Sequence, residues 1–354
     1  MGAKCSCGQS VHVQNEPTCE QYADEQEWVS GYKETSVGTI PMITAQLSHK
    51  DIVNGWKVRW GIRRMNYKVR PGLYGIGDPD EHSPVLVTAN YKLTFDKFRK
   101  ELTGLNAWIL VLDTKGVNVW CAAGKGTFGT EELLRSIHAV KLADLVQHRT
   151  LILPQLGATG IAAHEVRKAS RFKVIYGPVR ASDIRVFLAQ NLQKSDDMRS
   201  VEFPLKDRLA VIPVELVMGI KPIALLFVAY FLLSLLKTQR LDLLAVLTNF
   251  LPYLGAVLIG SAVVPILLPY IPTRSFALKG AIMGGLWGVL MSLVAHASLQ
   301  GSIAAVLVFG SIASFTSLNF TGATTFTSLS GVQFETKAAI PILLVCVVVG
   351  ILLG

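Results

Sequence analysis

The stretch Ala107-Trp-Ile-Leu-Val-Leu-Asp-Thr-Lys-Gly-Val-Asn-Val-Trp-Cys-Ala-Ala-Gly-Lys-Gly126 decides how this chain folds. Its first six residues, Ala107–Leu112, are all apolar. A run that short, closed by the polar turn Asp113-Thr-Lys115, reads as a buried strand. Runs of the same kind stand at Val85–Thr88, Val117–Trp120, Thr150–Leu153 and Phe172–Tyr176. Helical stretches lie between them, at Phe95–Leu102, Glu131–Val146, Ile161–Ala169 and Ser182–Gln190. Such alternation over about 110 residues predicts a parallel sheet with helices on both faces. Ligands of these sheets sit beyond the carboxyl ends of the strands. Those ends are the loops Thr88-Ala-Asn90, Asp113-Thr-Lys115, Pro154-Gln-Leu-Gly157 and Gly177-Pro-Val-Arg180, suited to backbone contact with a large polar ligand.

Outward from this core the composition changes twice. Residues 1–35 are polar and read as weakly ordered, and 36–200 as the α/β domain. Residues 36–80 are aromatic and basic, with Trp56, Trp60 and Tyr67, and end in the turn-rich Pro71-Gly-Leu-Tyr-Gly-Ile-Gly-Asp-Pro79. The first 30 residues hold no apolar signal core, so the soluble part is expected in the cytosol with reduced thiols. Cys5, Cys7, Cys19, Cys121 and Cys346 are too scattered for a disulfide framework. Cys5-Ser-Cys7 with Cys19 could bind a soft metal but falls short of a closed four-ligand site.

After a linker at 201–213, the segment 214–354 reads as a membrane domain. Of the 34 Lys and Arg and 25 Asp and Glu, only Glu215, Lys221, Lys237, Arg240, Asp242, Arg274, Lys279, Glu335 and Lys337 lie from Val211 onward. Five apolar segments approach the ~20 residues a spanning helix needs: Val214–Leu236, Leu243–Pro269, Phe276–Ser298, Ser302–Leu318 and Ala338–Leu353. Pro252, Pro265 and Pro269 predict a kink or break in the second, and Gly284, Gly285 and Gly288 close helix packing in the third. The positive-inside rule puts Arg199, Lys206, Arg208, Arg274, Lys279 and Lys337 on the cytosolic side, Lys237 and Arg240 outside. The chain is therefore expected to be a multi-pass protein of the cell's inner (cytoplasmic) membrane. With little intramembrane charge, the membrane block reads as an anchor and partner platform rather than a transporter. The first 210 residues hold 28 Lys and Arg against 22 Asp and Glu, and this net +6 suits an anionic lipid face or an acidic partner. No dense Lys/Arg run with interleaved aromatics marks a nucleic-acid binder.

The chemistry concentrates at Asn118-Val-Trp-Cys-Ala-Ala-Gly-Lys-Gly126, between a strand and a helix starting at Thr130. Ala122, Ala123, Gly124 and Gly126 remove bulk around Cys121, so a flat or large group could approach the backbone. A helix N-terminus and a lysine such as Lys125 both favour thiolate, the form of cysteine that binds metals. A phosphate loop is excluded: that motif needs Gly where Val119 stands and Ser or Thr where Gly126 stands. A cysteine hydrolase would need His138, His148 or His164 as base, and no local signature supports one. A buried cysteine in a tight turn is the plain alternative.

The octapeptide Asn118–Lys125 resembles the signature of the membrane corrinoid protein of microbial mercury methylation, Asn-(Val/Ile)-Trp-Cys-(Ala/Ser)-(Ala/Gly)-Gly-Lys. The soluble part is also similar to the corrinoid domain of the large subunit of corrinoid iron–sulfur proteins. The resemblance implies an α/β Rossmann-like corrinoid-binding domain followed by an all-α transmembrane domain of about five helices. It implies a cobalamin-type corrinoid whose cobalt takes the Cys121 thiolate as lower axial ligand, on a short cap helix braced by Asn118 and Trp120. Thr88 would lie near the upper cobalt face. The strand-end loops would hold the corrinoid, making Thr88, Ala89, Asn90, Asn118, Val119, Trp120, Cys121, Ala122, Ala123, Gly124, Lys125, Gln155, Leu156, Gly157, Gly177 and Pro178 its expected neighbours, with Cys121 and Thr88 catalytic. The implied activity is corrinoid-dependent methyl transfer to Hg(II). The implied partners are a small ferredoxin with two [4Fe-4S] clusters and a methyl donor from a methyltetrahydrofolate-linked pathway. The common cobalamin motif Asp-x-His-x-x-Gly is absent; Asp80-Glu-His82 comes nearest, but position 85 is Val. Two alternatives stay open: a corrinoid methyl carrier with another acceptor, and a non-catalytic membrane-anchored module binding a nucleotide or protein.

Overall fold

The computed structural model describes residues 27–239, 243–321 and 329–354; Cys5, Cys7, Cys19 and Arg240 lie outside the described residues. Strands β1 (Val29–Thr35), β2 (Gly38–Ile43), β3 (Gly72–Ile76), β4 (Val85–Ala89), β5 (Ala107–Leu112), β6 (Thr150–Leu153) and β7 (Lys173–Tyr176) form one mixed sheet in the order β1-β2-β3-β5-β4-β6-β7. The half β5-β4-β6-β7 is parallel throughout. β1 is antiparallel to β2, and β3 to β5. The expected all-parallel sheet is thus corrected to a parallel core extended by a mixed edge.

That edge is hidden in the sequence for physical reasons. β1 falls inside the segment read as weakly ordered; it is polar because it is an outer strand that alternates between half-buried and exposed. β3 looks like turn because of its glycines. A Cβ on Gly75 would come within 2.5 Å of Met42 Sδ, so glycine is what lets β3 approach β2.

Helices α1 (His49–Arg59), α2 (Lys92–Glu101), α3 (Val119–Lys125), α4 (Thr130–Ala139), α5 (Leu142–Leu145), α6 (Ala163–Ser170) and α7 (Ile184–Ala189) complete the domain. Alternate side chains of β4 and β5 serve two cores. Val85, Val87, Leu110 and Leu112 pack with Leu133, Leu142 and Val166 of α4 to α6. Leu86, Ile109 and Val111 pack with Phe95 and Phe187 of α2 and α7. This period of two is why these runs are apolar throughout. The expected strand Val117–Trp120 is instead a turn and the start of α3, and the expected helix Glu131–Val146 breaks at Lys141, whose φ is 49°.

Five helices are long and apolar enough to cross a membrane: α8 (Leu205–Thr238), α9 (Leu243–Leu258) continued through a π-turn at Ile259–Val263 into α10 (Val264–Ile266), α11 (Phe276–Val294), α12 (Leu299–Thr321) and α13 (Leu329–Leu353). The π-turn precedes Pro265, which has no N–H to give the preceding turn. α8 begins inside the expected linker. Its 34 residues reach about 50 Å, longer than the ~30 Å of a bilayer core, and its first turns meet the α/β domain. There Arg59 Nη1 donates to the Ala210 carbonyl at 3.2 Å, joining α1 to α8.

The cationic end of the bundle is built from helix caps. Lys279 Nζ donates to the carbonyls of Leu268 and Ile271, both at 2.7 Å, and Arg208 donates to those of Pro265 and Ile266. Glu335 accepts from Ser275 Oγ and from the Ala277 N–H at the start of α11. Close packing of α11 on α12 runs through Gly280, Gly284 and Gly288. A Cβ on Gly284 would lie 2.5 Å from Ala313 Cβ and 3.0 Å from Gly310 Cα, whereas one on Gly285 would meet only Val306 Cγ1 at 3.7 Å. Gly284→Leu is therefore expected to destabilise the bundle by about 1–3 kcal/mol or more. Gly285→Leu should cost under about 0.5 kcal/mol. Thermal unfolding of the two variants in one detergent separates them.

Candidate functional site

The carboxyl ends of β4 and β6, with segments that follow β5, β6 and β7, open into a cavity of about 760 Å³, roofed by the N-terminal part of α8. β4 lies between β5 and β6, so the chain reverses its winding there, the position where open α/β sheets bind ligands.

Cys121 reaches this cavity on α3. Asn118 is the N-cap: its Oδ1 accepts from the Cys121 N–H at 2.9 Å, fixing the turn that carries the thiol. The helix stops at Gly126, φ 81°, a backbone angle that favours glycine. Ala122 and Ala123 are buried, and their small size has a structural use. A Cβ on Gly160 would lie 3.0 Å from Ala123 Cα, so α3 rests directly on the loop after β6. The alanines thus seat α3 rather than make room for a ligand. Gly124 and Lys125 face solvent.

Thr88, Asn118, Val119, Trp120, Cys121, Leu156, Gly177 and Pro178 line the cavity. The other expected neighbours lie behind it. Asn90, 1% exposed, has its side chain committed to the loop entering α3. Its Nδ2 donates to Asp113 Oδ1 at 3.0 Å, and its Oδ1 accepts from the N–H groups of Thr114 and Gly116. Gln155 accepts from Lys194 Nζ. Gly157 gives space to Phe128, and Ala89 is fully buried in the sheet. These positions set the loops; the lining residues face the space.

Further lining residues were not expected from the sequence. Tyr91, one residue beyond the loop Thr88-Ala-Asn90, is 5% exposed, and its Oη has no hydrogen-bond partner. Burial holds this phenol above its usual pKa, against the opposing pull of Arg64 and Arg59. Arg59, Arg64 and Lys97 give this side a positive wall, and Val214, Glu215 and Gly219 of α8 form the roof. A tyrosine following a strand-end loop was the readable signal; the α8 roof was not readable, because the two segments are far apart in sequence.

No histidine lines the cavity among the described residues. His148 is held by the Ser83 carbonyl and the Thr150 N–H, and His164 is solvent-exposed, so neither serves Cys121 as a base. Nor do three His, Cys, Asp or Glu side chains converge among the described residues. A multidentate metal site at Cys121 would take its remaining ligands from a bound group, and a metal chelated by an organic ring is one such group. The cavity fits such a group: it has room for a large ligand, one thiol at its wall, an unpaired buried phenol and cationic side chains for polar substituents.

Comparison with known proteins points to the same region. Residues 57–188 match the family model described as CO dehydrogenase/acetyl-CoA synthase delta subunit. The acetyl-CoA decarbonylase/synthase complex subunit gamma of Methanopyrus kandleri is 37% identical over 123 residues, 34% of this chain and 26% of that protein. The corresponding subunit of Methanocaldococcus jannaschii is 35% identical over 130 residues, 36% of this chain and 26% of that protein. The corrinoid/iron-sulfur protein large subunit of Moorella thermoacetica is 32% identical over 127 residues, 35% of this chain and 28% of that protein. The chain therefore spans only about a quarter of the length of these curated relatives, and the family model's match at residues 57–188 includes Cys121 and ends before α8.

Proposed function

We propose that the α/β domain binds a cobalamin-type corrinoid and transfers a methyl group, and that the acceptor is Hg(II), giving methylmercury at the cytosolic face of the inner membrane. The observation that carries the reading is the placement of Cys121: a partly exposed thiol on a capped, seven-residue helix, facing the same cavity as Thr88. When bound, the corrinoid supplies a cobalt that carries a methyl group and gives it up, with its bonding electron pair, to an electrophile. Bound to a metal, Cys121 would supply a sulfur donor more electron-releasing than imidazole or water. Asn118 holds the turn that aims it. Thr88, which lines the same cavity, would contact the bound group. Tyr91, Arg64 and Arg59 would hold polar corrinoid substituents. The electron pair lost with the methyl has to be restored, the role left to a small ferredoxin with two [4Fe-4S] clusters. The methyl itself would come from a methyltetrahydrofolate-linked donor.

The test uses the full chain in detergent, loaded with methylcobalamin and separated from free cofactor. One tightly held corrinoid per chain and methylmercury on adding Hg(II) are expected. A loaded protein that methylates other acceptors but not Hg(II) would keep the corrinoid and change the substrate. That second reading is favoured by the similarity to subunits named for acetyl-CoA chemistry. A chain that retains no corrinoid would end both.

A further inference from the structure

A second cavity, of about 300 Å³, lies inside the membrane bundle and shares Glu215, Gly219 and Asn319 with the Cys121 cavity. From those residues it follows α8 to Leu226, about 16 Å along the helix axis. Its far wall is α13 around Leu343 and Val347, and its back is the π-turn and α12. Phe315 is 46% exposed and Leu344 62% exposed, although both line this space, so it opens sideways to whatever surrounds the bundle. In a bilayer that is lipid.

We infer that this cavity is a lateral passage for small, uncharged solutes of low polarity between the bilayer and the Cys121 cavity. Its lining decides the class of solute. The walls are mainly aliphatic, and the hydroxyls are already used within their own helices. Ser261 donates to the Val257 carbonyl at 2.8 Å, Ser311 to Leu307 at 2.7 Å and Thr316 to Ile312 at 3.0 Å. Beyond Glu215 at the shared wall, no ionisable side chain lines it among the described residues. Bare ions have nothing to replace their hydration here and are excluded. A neutral species, such as an organometallic cation paired with one thiolate or halide, meets no such barrier. That last identification rests on the proposed function; the passage itself does not.

The junction can be closed without breaking the fold. A Cβ on Gly219 would meet only Ile223 Cδ1, at an ordinary 3.5 Å, so the larger side chain of Gly219→Leu has the passage to grow into. Leu343→Trp would fill it from α13, away from the Cys121 cavity. Leu352→Trp, at a position 80% exposed and outside both cavities, is the control.

The experiment uses corrinoid-free full-length protein in lipid nanodiscs, with Cys5, Cys7, Cys19 and Cys346 replaced so that Cys121 is the one remaining thiol. Labelling of Cys121 is timed with N-octylmaleimide dissolved in the lipid and with a sulfonated maleimide in water. Gly219→Leu and Leu343→Trp should slow the lipid-borne reagent about tenfold. Leu343→Trp should leave the water-borne one within about twofold, and Leu352→Trp should change neither. Unchanged lipid-borne labelling in Leu343→Trp overturns the passage. So does equal slowing of both reagents by Leu343→Trp, which would mean that the variant distorts the site. Corrinoid retention, read by absorption on the unsubstituted chain, judges the proposed function separately.

Discussion

Cys121→Ala is expected to abolish methyl transfer to Hg(II), by at least about a hundredfold, the upper scale on which metal sites fail when even a supporting group is removed. The variant should still fold. Cys121 is only half-buried, alanine is a better helix former, and the cap from Asn118 to the backbone N–H at position 121 does not involve the thiol. It should also retain corrinoid, since the rest of the wall is untouched, but with an altered absorption spectrum. Asn118→Ala gives a complementary result. It keeps the thiol and removes the cap, at a cost of about 0.5–2 kcal/mol to the local turn. Its transfer rate should fall less, with near-normal retention and a broadened spectrum. Full activity in Cys121→Ala would sink the axial-ligand assignment, whatever the variant binds.

How much of this was legible beforehand depends on how local the determining interaction is. β4, β5, β6 and β7 are written as short apolar runs because both faces of each are covered. The Cys121 motif is local, and the resemblance carried by Asn118–Lys125 placed the cysteine on a short helix. Reading residues 117–120 by apolarity alone gave a strand. That reading failed because Val119 is buried as the first residue of a helix, not within a sheet. Ala122 and Ala123 were rightly noted as small, but their partner is the loop at Gly160, whose position depends on β6 and no local pattern. The roof over the cavity depends on α8 starting at Leu205, ahead of the expected span at Val214. Leu205–Pro213 looks like a linker because it holds charges and a proline, yet Pro213 is accommodated within α8 and Arg208 caps the end of another helix.

The largest effect on stability is expected at Arg99 of α2, which is 0% exposed. Its Nε donates to Asp96 Oδ1 at 2.9 Å, Nη2 to Asp51 Oδ2 at 2.7 Å, and Nη1 to the carbonyls of Thr44 and Gln46. Lys92 completes the cluster, reaching Asp51 at 2.7 Å and Asp96 at 2.8 Å. Arg99→Leu leaves two buried carboxylates sharing one lysine and two carbonyls without donors. Breaking one partner out of such a cluster costs about 3–5 kcal/mol. Removing the charges together, in Asp51→Asn/Asp96→Asn/Arg99→Leu, should cost less than the sum of the separate changes. The same groups set an acid limit. Burial alone would raise the Asp51 carboxyl, but the hydrogen bond and charge of Lys92, the Ser48 N–H and Arg99 outweigh it and hold its pKa below the ordinary value. A carboxyl depressed in the fold stabilises it at pH values above its unfolded pKa, about 4. That contribution is lost as the pH falls through the lower folded value. The acid edge of thermal stability should therefore lie below about pH 4 in the native chain. It should move upward in Arg99→Leu, because one of the charges that depress Asp51 is gone. Since the cluster ties α1 to α2, and Arg59 and Lys97 of those helices face the cavity, the variant should also hold corrinoid less tightly while Cys121 remains in place. An unchanged melting temperature and acid edge in Arg99→Leu would show that the cluster is not what positions that wall.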